Sequence, residues 1–204
     1  MERSASSPDV VILNGTSSAG KSSIAQWLPM TLDRPMVCSG LDVVLMSMPI
    51  KLHGHRDGPY FESIADGTVI RLGPTAIEIA RAWHQAQATL VRQGFSLVLD
   101  EAIVCEQLLE SLIDAFKGMR VWLVGVVCDE AVAVAREEAR GDRQPGLARG
   151  LAELVHRDVE YDLVLDTTAI SVQAASECVA RLINSADPTA FERVTQLRSA
   201  SRPT

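Results

Sequence analysis

The chain has little lysine and no long apolar run. Only three of its 19 basic residues are lysine, and its 204 residues carry a formal net charge of −7 without a basic stretch. This acidic balance argues against nucleic acid or an anionic membrane surface as a partner. No apolar run approaches the ~20 residues that a membrane-spanning helix needs. We therefore expect neither nucleic acid nor a membrane among the partners.

Cysteine is also sparse. The four cysteines are widely spaced and form no metal-binding pattern, so free thiols in a reducing compartment are the simplest interpretation. Residues 1–9 lack the apolar core of a signal peptide. We expect a cytoplasmic protein, and the sequence leaves open whether it forms a homo-oligomer.

Asparagine occurs only twice, at Asn14 and Asn184, and neither is followed by lysine. GTPase switches usually recognise guanine through an Asn-Lys-x-Asp element. Its absence excludes the ordinary nucleotide-gated switch of the GTPase kind.

The most specific pattern present is the stretch 15–22, which reads G-T-S-S-A-G-K-S after the apolar stretch 10–14. It matches the phosphate-binding pattern G-x-x-x-x-G-K-[ST] at each fixed position. The glycines let the backbone wrap around a polyphosphate, and the following helix attracts the anion. Lys21 supplies charge toward the β- and γ-phosphates, and the Ser22 hydroxyl can ligate Mg²⁺. The residues predicted to bind the polyphosphate here are Gly15, Thr16, Ser17, Ser18, Ala19, Gly20, Lys21, Ser22 and Ser23. A turn without a ligand is disfavoured by the flanking strand and helix.

Short apolar runs alternate with helical patterns along the chain. The predicted strands are 10–14, 35–39, 96–100, 120–127 and 163–166, and the predicted helices are 22–32, 43–48, 75–93, 106–116, 130–140 and 171–184. This alternation predicts a three-layer α/β fold with a five-stranded parallel sheet and right-handed crossovers. We expect one domain over 10–185, with an excursion at 49–72 that passes over the sheet edge. The termini, 1–9 and 186–204, are predicted to be flexible.

Asp42 follows the second predicted strand. Ligands of open parallel sheets bind outside the carboxyl ends of the strands, so a carboxylate there could accept the proton of an attacking hydroxyl. The same position suits an N-cap of the next helix. Sequence position alone leaves both interpretations open.

Asp100 ends the apolar run 96–100, as a Walker-B carboxylate that holds Mg²⁺ does. Together with the phosphate loop, this favours a metal-binding role for Asp100 beside Ser22. Glu101 follows directly, and two roles stay open for it: orienting the substrate, or a solvated carboxylate.

Arg136, Arg140 and Arg143 are spaced four and three apart, which places them on one helical face if the helix continues that far. Guanidinium groups make bidentate contacts with phosphate oxygens, and the glycines and proline nearby suit a mobile lid over about 140–150. The alternative is a solvated helix face in which the arginines pair with Glu137 and Glu138.

Three further segments carry weaker signals. The stretch 166–168 is a turn after the last strand, at the position where many nucleoside-phosphate kinases contact adenine. His53 and His55 could form a metal pair, but a third ligand at useful spacing is missing, which favours a solvated loop. His84 lies within a strongly predicted helix and is interpreted as structural.

Several of these stretches resemble chloramphenicol phosphotransferases. The matching segments are 12–22, 40–42 with 48–49, 124–126 with 128–129, 136–137 with 139–143, 155–156 with 159–162, and 165–168. The resemblance implies an ATP-dependent kinase of a small-molecule hydroxyl with an adenylate- or shikimate-kinase-like fold and an Arg-rich lid. It implies that Asp42 is the catalytic base, that Lys21, Arg136 and Arg140 assist transfer, and that Thr167 and Thr168 lie near the nucleotide.

The chain departs from the family pattern at two places on the acceptor side. The excursion 49–72 looks longer and differently composed, and Glu101 stands where a second Asp is expected. Chloramphenicol is the leading acceptor, which would make the protein a resistance enzyme. The alternatives are another hydroxylated metabolite, a nucleotide sugar, or a non-catalytic nucleotide-binding module, which the intact Lys21, Asp42 and Asp100 disfavour.

Overall fold

The computed structural model describes the backbone of residues 9–201. The strands are β1 (Asp9–Asn14), β2 (Met36–Gly40), β3 (Pro59–Ile64), β4 (Gly67–Leu72), β5 (Ser96–Glu101), β6 (Arg120–Val127) and β7 (Leu163–Asp166). The helices are α1 (Lys21–Thr31), α2 (Leu41–Ser47), α3 (Pro74–Arg92), α4 (Glu106–Phe116), α5 (Glu130–Arg140), α6 (Leu147–Gly150), α7 (Val172–Ser185) and α8 (Ala190–Ser201). Within these described residues, no helix is long and apolar enough to cross a membrane.

Five strands form one parallel sheet in the order β2-β5-β1-β6-β7. All six residues of β1, at the centre, are buried, because helices cover both faces. Val10 and Ile12 pack on the face that carries α3, α4 and α8, while Val11 and Leu13 pack on the face that carries α1 and α7. Burial on both faces explains why the strands read as continuous apolar runs rather than as alternating patterns. The three-layer α/β prediction is confirmed.

All five predicted strands and all six predicted helices are present, with ends shifted by at most two residues. The sequence analysis did not predict the hairpin β3–β4, the short helix α6, the C-terminal helix α8 or the 3₁₀ turns at Ile50–Leu52 and Leu154–His156.

The excursion 49–72 contains a separate two-stranded antiparallel sheet, β3–β4, after a 3₁₀ turn at Ile50–Leu52. Its two-residue turn is Ala65-Asp66, and Gly67, the first residue of β4, has a φ of 132°. Adjacent Asp and Gly residues between apolar runs mark a turn, so a turn at this position could have been predicted.

The C-terminal segment differs from the flexible tail predicted over 186–204. Residues 190–201 form α8, and Ala190, Phe191 and Val194 are buried against the sheet. The side chain of Asp162 accepts bonds from the backbone N–H groups of Thr189 and Ala190, both within 2.9 Å, at the start of this helix. The prolines and polar residues favoured a flexible tail in the sequence analysis, although the segment also has a short apolar face with helical spacing. Of the N-terminal segment 1–9, also predicted to be flexible, Asp9 is instead a buried residue of β1, while residues 1–8 and, at the other end, 202–204 lie outside the described residues.

Candidate active site

A cleft of about 960 Å³ opens at the carboxyl ends of the central strands. It is bordered by the phosphate loop 15–22, α2, the hairpin β3–β4, and the segment that follows α5. A crevice at this edge is where open α/β sheets bind ligands, because the strand order reverses there. The cleft therefore brings together segments that lie far apart in the sequence.

The phosphate loop is held tightly against β6. A Cβ atom at Gly15 would lie 2.2 Å from the carbonyl oxygen of Val126, so only glycine fits this approach. Gly20 has a φ of 95° and precedes α1. Lys21 begins that helix, is buried, and donates from Nζ to the carbonyl oxygen of Thr16 at 2.8 Å. Within the part of the chain that the structure describes, the buried hydroxyls of Ser17 and Ser18 in this loop have no hydrogen-bond partner. The loop thus presents an ammonium group and free donors to an anion.

The predicted nucleotide-binding residues divide into two groups. Those that line the cleft are Ser17, Ser18, Gly20, Lys21, Ser22 and Ser23. The side chain of Thr16 instead donates to the carbonyl oxygen of Ala148 at 2.7 Å, which fixes the loop to α6. Gly15, Thr16 and Ala19 are absent from the cleft lining, so they support the shape of the loop rather than present side chains to a ligand.

Ser22 and Asp100 meet at the base of this loop. The Ser22 hydroxyl donates to the Asp100 carboxylate, and Lys21 Nζ lies 3.6 Å from the other carboxylate oxygen. A hydroxyl and a carboxylate in contact at one point are hard oxygen ligands of the kind that Mg²⁺ prefers, with water and phosphate oxygens completing its shell. The residues present therefore fit a magnesium ion. Among the described residues, no group of three or more His, Cys, Asp or Glu side chains offers another metal site.

Asp42 lies in the first turn of α2 and is one of the residues that line the cleft. The N-cap of α2 is Gly40, and no side chain caps the helix, so the N-cap interpretation of Asp42 does not hold. A Cβ at Gly40 would lie 2.0 Å from the carbonyl oxygen of Asp100, and this close approach brings the start of α2 beside β5. Arg143 donates from Nη2 to Asp42 Oδ2 at 2.7 Å. The hydrogen bond to Asp42 is the main cause that raises the pKa of Arg143.

The three arginines take three different environments. Arg136 donates to the carbonyl oxygen of Thr167 at 2.9 Å, and Arg140 pairs with Asp142 at 3.1 Å. Helix α5 ends at Arg140, and Gly141 adopts a left-handed conformation, so Arg143 lies in the loop beyond the helix. The three guanidinium groups therefore do not share one helical face, although all three line the cleft.

Glu137 contradicts the alternative of a solvated, salt-bridged helix face. Its carboxylate is buried, and it accepts bonds from the backbone N–H groups of Gly146 and Ala148, both at 2.8 Å. Glu138 is exposed, as that alternative expected.

At the end of β7, Thr167 lines the cleft and donates to the carbonyl oxygen of Ala19 at 2.7 Å. Thr168 does not line it, and its hydroxyl accepts a bond from the backbone N–H of Asp129 at 2.8 Å. The sequence analysis placed both near the nucleotide, and the structure brings only Thr167 to the cleft.

Glu101 is neither solvated nor part of the cleft lining. It is buried, with Oε1 3.8 Å from Nε2 of His84, and this burial raises its pKa. His84 is also buried and hydrogen-bonds the hydroxyl of Ser111 at 2.7 Å, in keeping with a structural role. Both hypotheses for Glu101 were wrong, because its side chain lies between the sheet and α3.

The sequence analysis did not predict that α2 and the hairpin together form an apolar half of the cleft. Leu41, Leu45 and Met46 from α2 line it together with Phe61 and Ile70 from the hairpin. His53 also borders this half, while His55 pairs with Asp57 in the exposed loop. The helical spacing of the first three residues was visible, but nothing local showed that the hairpin would face them.

The central strand of the five-stranded parallel sheet leads into a glycine-rich loop, with Lys21 at the start of the following helix and Asp100 on the neighbouring strand. This arrangement defines the P-loop kinase fold. Solved structures of this class share the architecture. APS kinase of Mycobacterium tuberculosis, in complex with AMPPNP and APS, aligns with a TM-score of 0.60 and 16% identity, covering 87% of this chain and 98% of that one. Shikimate kinase of Acinetobacter baumannii, in complex with shikimate, aligns with a TM-score of 0.55 and 13% identity, covering 87% and 93%.

Sequence comparison identifies the family. The family described as chloramphenicol phosphotransferase-like protein matches residues 8–186. Mycobacterium tuberculosis strains H37Rv and CDC 1551 each have a relative with the provisional name O-phosphotransferase, 33% identical over 172 residues, covering 80% of this chain and 76% of the relative. The chain belongs to the chloramphenicol phosphotransferase-like family and is a phosphotransferase with a small-molecule hydroxyl as acceptor.

Proposed function

We propose that this protein transfers the γ-phosphoryl group of ATP, with Mg²⁺, to a hydroxyl of a small apolar molecule, with chloramphenicol as the leading acceptor. One observation carries the proposal. The phosphate-loop residue Lys21 and the carboxylate of Asp42 line the same cleft, and Arg143 lies within electrostatic reach of both Asp42 and Asp100. A donor phosphate and an acceptor hydroxyl can therefore meet in one pocket.

The nucleotide half supports ATP binding. Lys21 and the N–H groups at the start of α1 would hold the β- and γ-phosphates, and Arg136 and Thr167 border the same end of the cleft. Ser22 and Asp100 would hold Mg²⁺, which neutralises charge on the phosphate oxygens. Arg140 lies at the end of α5, where leaving Asp142 would bring it to the transferring group.

Asp42 would act as the general base. As the acceptor oxygen forms its bond to the γ-phosphorus, its proton passes to the Asp42 carboxylate. The bond between the γ-phosphorus and the bridging oxygen breaks, and its electron pair leaves with ADP. Arg143 contacts Oδ2 of Asp42, and we assign the acceptor proton to Oδ1.

The acceptor half is lined mostly by aliphatic side chains and by Phe61. Such a surface suits an apolar hydroxylated molecule better than a nucleotide sugar, whose charges would need partners. The family to which the chain belongs points the same way. We further propose that the chain from β1 through α8 acts as one domain, with 140–150 as its lid, and that the protein works in the cytoplasm.

A coupled assay tests the function. Purified protein, ATP and Mg²⁺ are incubated with chloramphenicol, and ADP release and product mass are measured together. We expect ADP release to depend on chloramphenicol, with a product heavier by one phosphoryl group. Parallel reactions with shikimate, gluconate and a nucleotide sugar test the alternative acceptors. ADP release that no acceptor accelerates would contradict the proposal.

A further inference from the structure

The short helix α6, Leu147–Gly150, is hydrogen-bonded to three parts of the cleft. From the phosphate loop, the Thr16 hydroxyl donates to the carbonyl oxygen of Ala148 at 2.7 Å. From α5, Glu137 accepts bonds at the start of α6, and from the hairpin, Thr68 bonds the residues that precede it. The phosphate loop, helix α5 and the hairpin β3–β4 thus all contact one turn of helix.

Glu137 as a residue is only 5% exposed. Oε2 accepts from the N–H of Gly146 and Oε1 from the N–H of Ala148, both at 2.8 Å. Among the described residues, no ion pair joins Glu137 to a cation. A buried charge without a counter-ion is costly unless it is hydrogen-bonded, so these two N–H groups are what hold Glu137 in place, and it holds them in turn.

Thr68 holds the same turn from the other side. Its hydroxyl donates to the carbonyl oxygen of Pro145 at 2.9 Å, and its backbone N–H donates to that of Gly146 at 3.0 Å. A Cβ at Gly150 would lie 2.1 Å from the carbonyl oxygen of Thr68. The backbones of β4 and α6 are therefore in direct contact, with no side chain between them.

These bonds fix both ends of the loop that carries Arg143. The loop leaves α5 at Gly141 and reaches Pro145 and Gly146, where Glu137 and Thr68 anchor it. Arg143 lies between the two ends and reaches Asp42 at 2.7 Å. The position of its guanidinium group depends on where the second end is held.

We propose that Glu137 and Thr68 are positioning residues, which anchor the loop 141–146 at α6 and thereby hold Arg143 at Asp42. Through Thr68, the hairpin that lines the acceptor half is joined to the same anchor. The inference rests on the proposed function only in taking Asp42 and Arg143 as part of the transfer machinery.

Trypsin tests the anchoring without any turnover, because it cleaves after Arg140 and Arg143 in this loop. We compare Glu137→Gln with Glu138→Gln, an exposed carboxylate on the same helix. The amide at 137 can accept only one of the two N–H bonds, so cleavage in the loop is expected to accelerate about tenfold. Glu138→Gln is expected to match the wild type. Mass spectrometry of the fragments assigns each cut.

Kinetics test the positioning. With ATP and chloramphenicol, kcat of Glu137→Gln is expected to fall about tenfold, while the ATP Kd from calorimetry changes less than about twofold. A residue that only stabilised the fold would lower the melting temperature and leave kcat of the folded fraction unchanged. Thr68→Val removes the hydroxyl bond to Pro145 but keeps the backbone bond to Gly146. If Glu137→Gln does not fold, the trypsin and kinetic measurements are made on Thr68→Val instead. Its matched control is Ser63→Ala, the residue paired with Thr68 across the hairpin.

Two results would overturn the inference: trypsin cleavage equal to that of Glu138→Gln, or faster cleavage with kcat unchanged. If the wild type transfers nothing to chloramphenicol or to any other acceptor, the proposed function fails instead. The trypsin comparison, made with AMPPNP and Mg²⁺, then decides the anchoring by itself.

Discussion

The two halves of the cleft are built in different ways. The nucleotide half comes mainly from one continuous stretch, 15–23, with Lys21 buried at 8% exposure and Ser22 in contact with Asp100. The acceptor half is assembled from α2, the hairpin and α6, and Phe61 is half exposed there. A site held in one loop keeps its chemistry wherever that loop occurs, whereas a site assembled from distant segments can change when any one of them changes.

The largest effect is expected where the halves meet. Asp42→Asn replaces the carboxylate to which we assign the acceptor proton, and a neutral amide cannot take that proton, so phosphoryl transfer should fall by ~10²–10⁴. ATP affinity should change little, because Asp42 faces the acceptor. Transfer measured by product mass, with ATP binding by calorimetry and thermal melting, separates the effects. Transfer within a few-fold of the wild type would mean that the base lies elsewhere.

The second-largest effect is expected from a substitution confined to the nucleotide half. Lys21→Ala removes the ammonium group that we assign to the β- and γ-phosphates, which should lower kcat by ~10²–10³. The KM for chloramphenicol should stay nearly constant, because Lys21 belongs to the other half. Steady-state kinetics with each substrate varied in turn make the measurement. Near-normal turnover would refute the phosphate-loop assignment.

The smallest effect is expected in the acceptor half. Phe61→Ala should raise the KM for chloramphenicol about tenfold through lost apolar contact, with ATP affinity unchanged. Ile64→Ala is the matched control, since this exposed apolar residue lies on the same hairpin but outside the cleft lining. Equal KM values for the two variants would show that the hairpin does not contact the acceptor.

The same contrast explains what could be predicted from the sequence. The phosphate loop and the core strands were predictable, because their signals are local: a fixed spacing of glycines and lysine, and unbroken apolar runs. The pairing of Arg143 with Asp42 joins residues 101 positions apart and leaves no local trace. Glu101 shows that a local signal can also give the wrong expectation. A carboxylate at a strand end predicts solvent or ligand, yet packing against α3 buries it beside His84.

The C-terminal helix α8 extends the folded domain beyond the region of family similarity. Similarity to the family stops at residue 186, whereas Phe191 and Val194 fill the core beside β6. The family match therefore ends at residue 186, whereas the fold continues through α8 to Ser201. A fragment cut at residue 186 would keep the whole cleft but expose the apolar surface that α8 covers, and an exposed patch of that kind promotes aggregation. Fragments made for expression should run through α8.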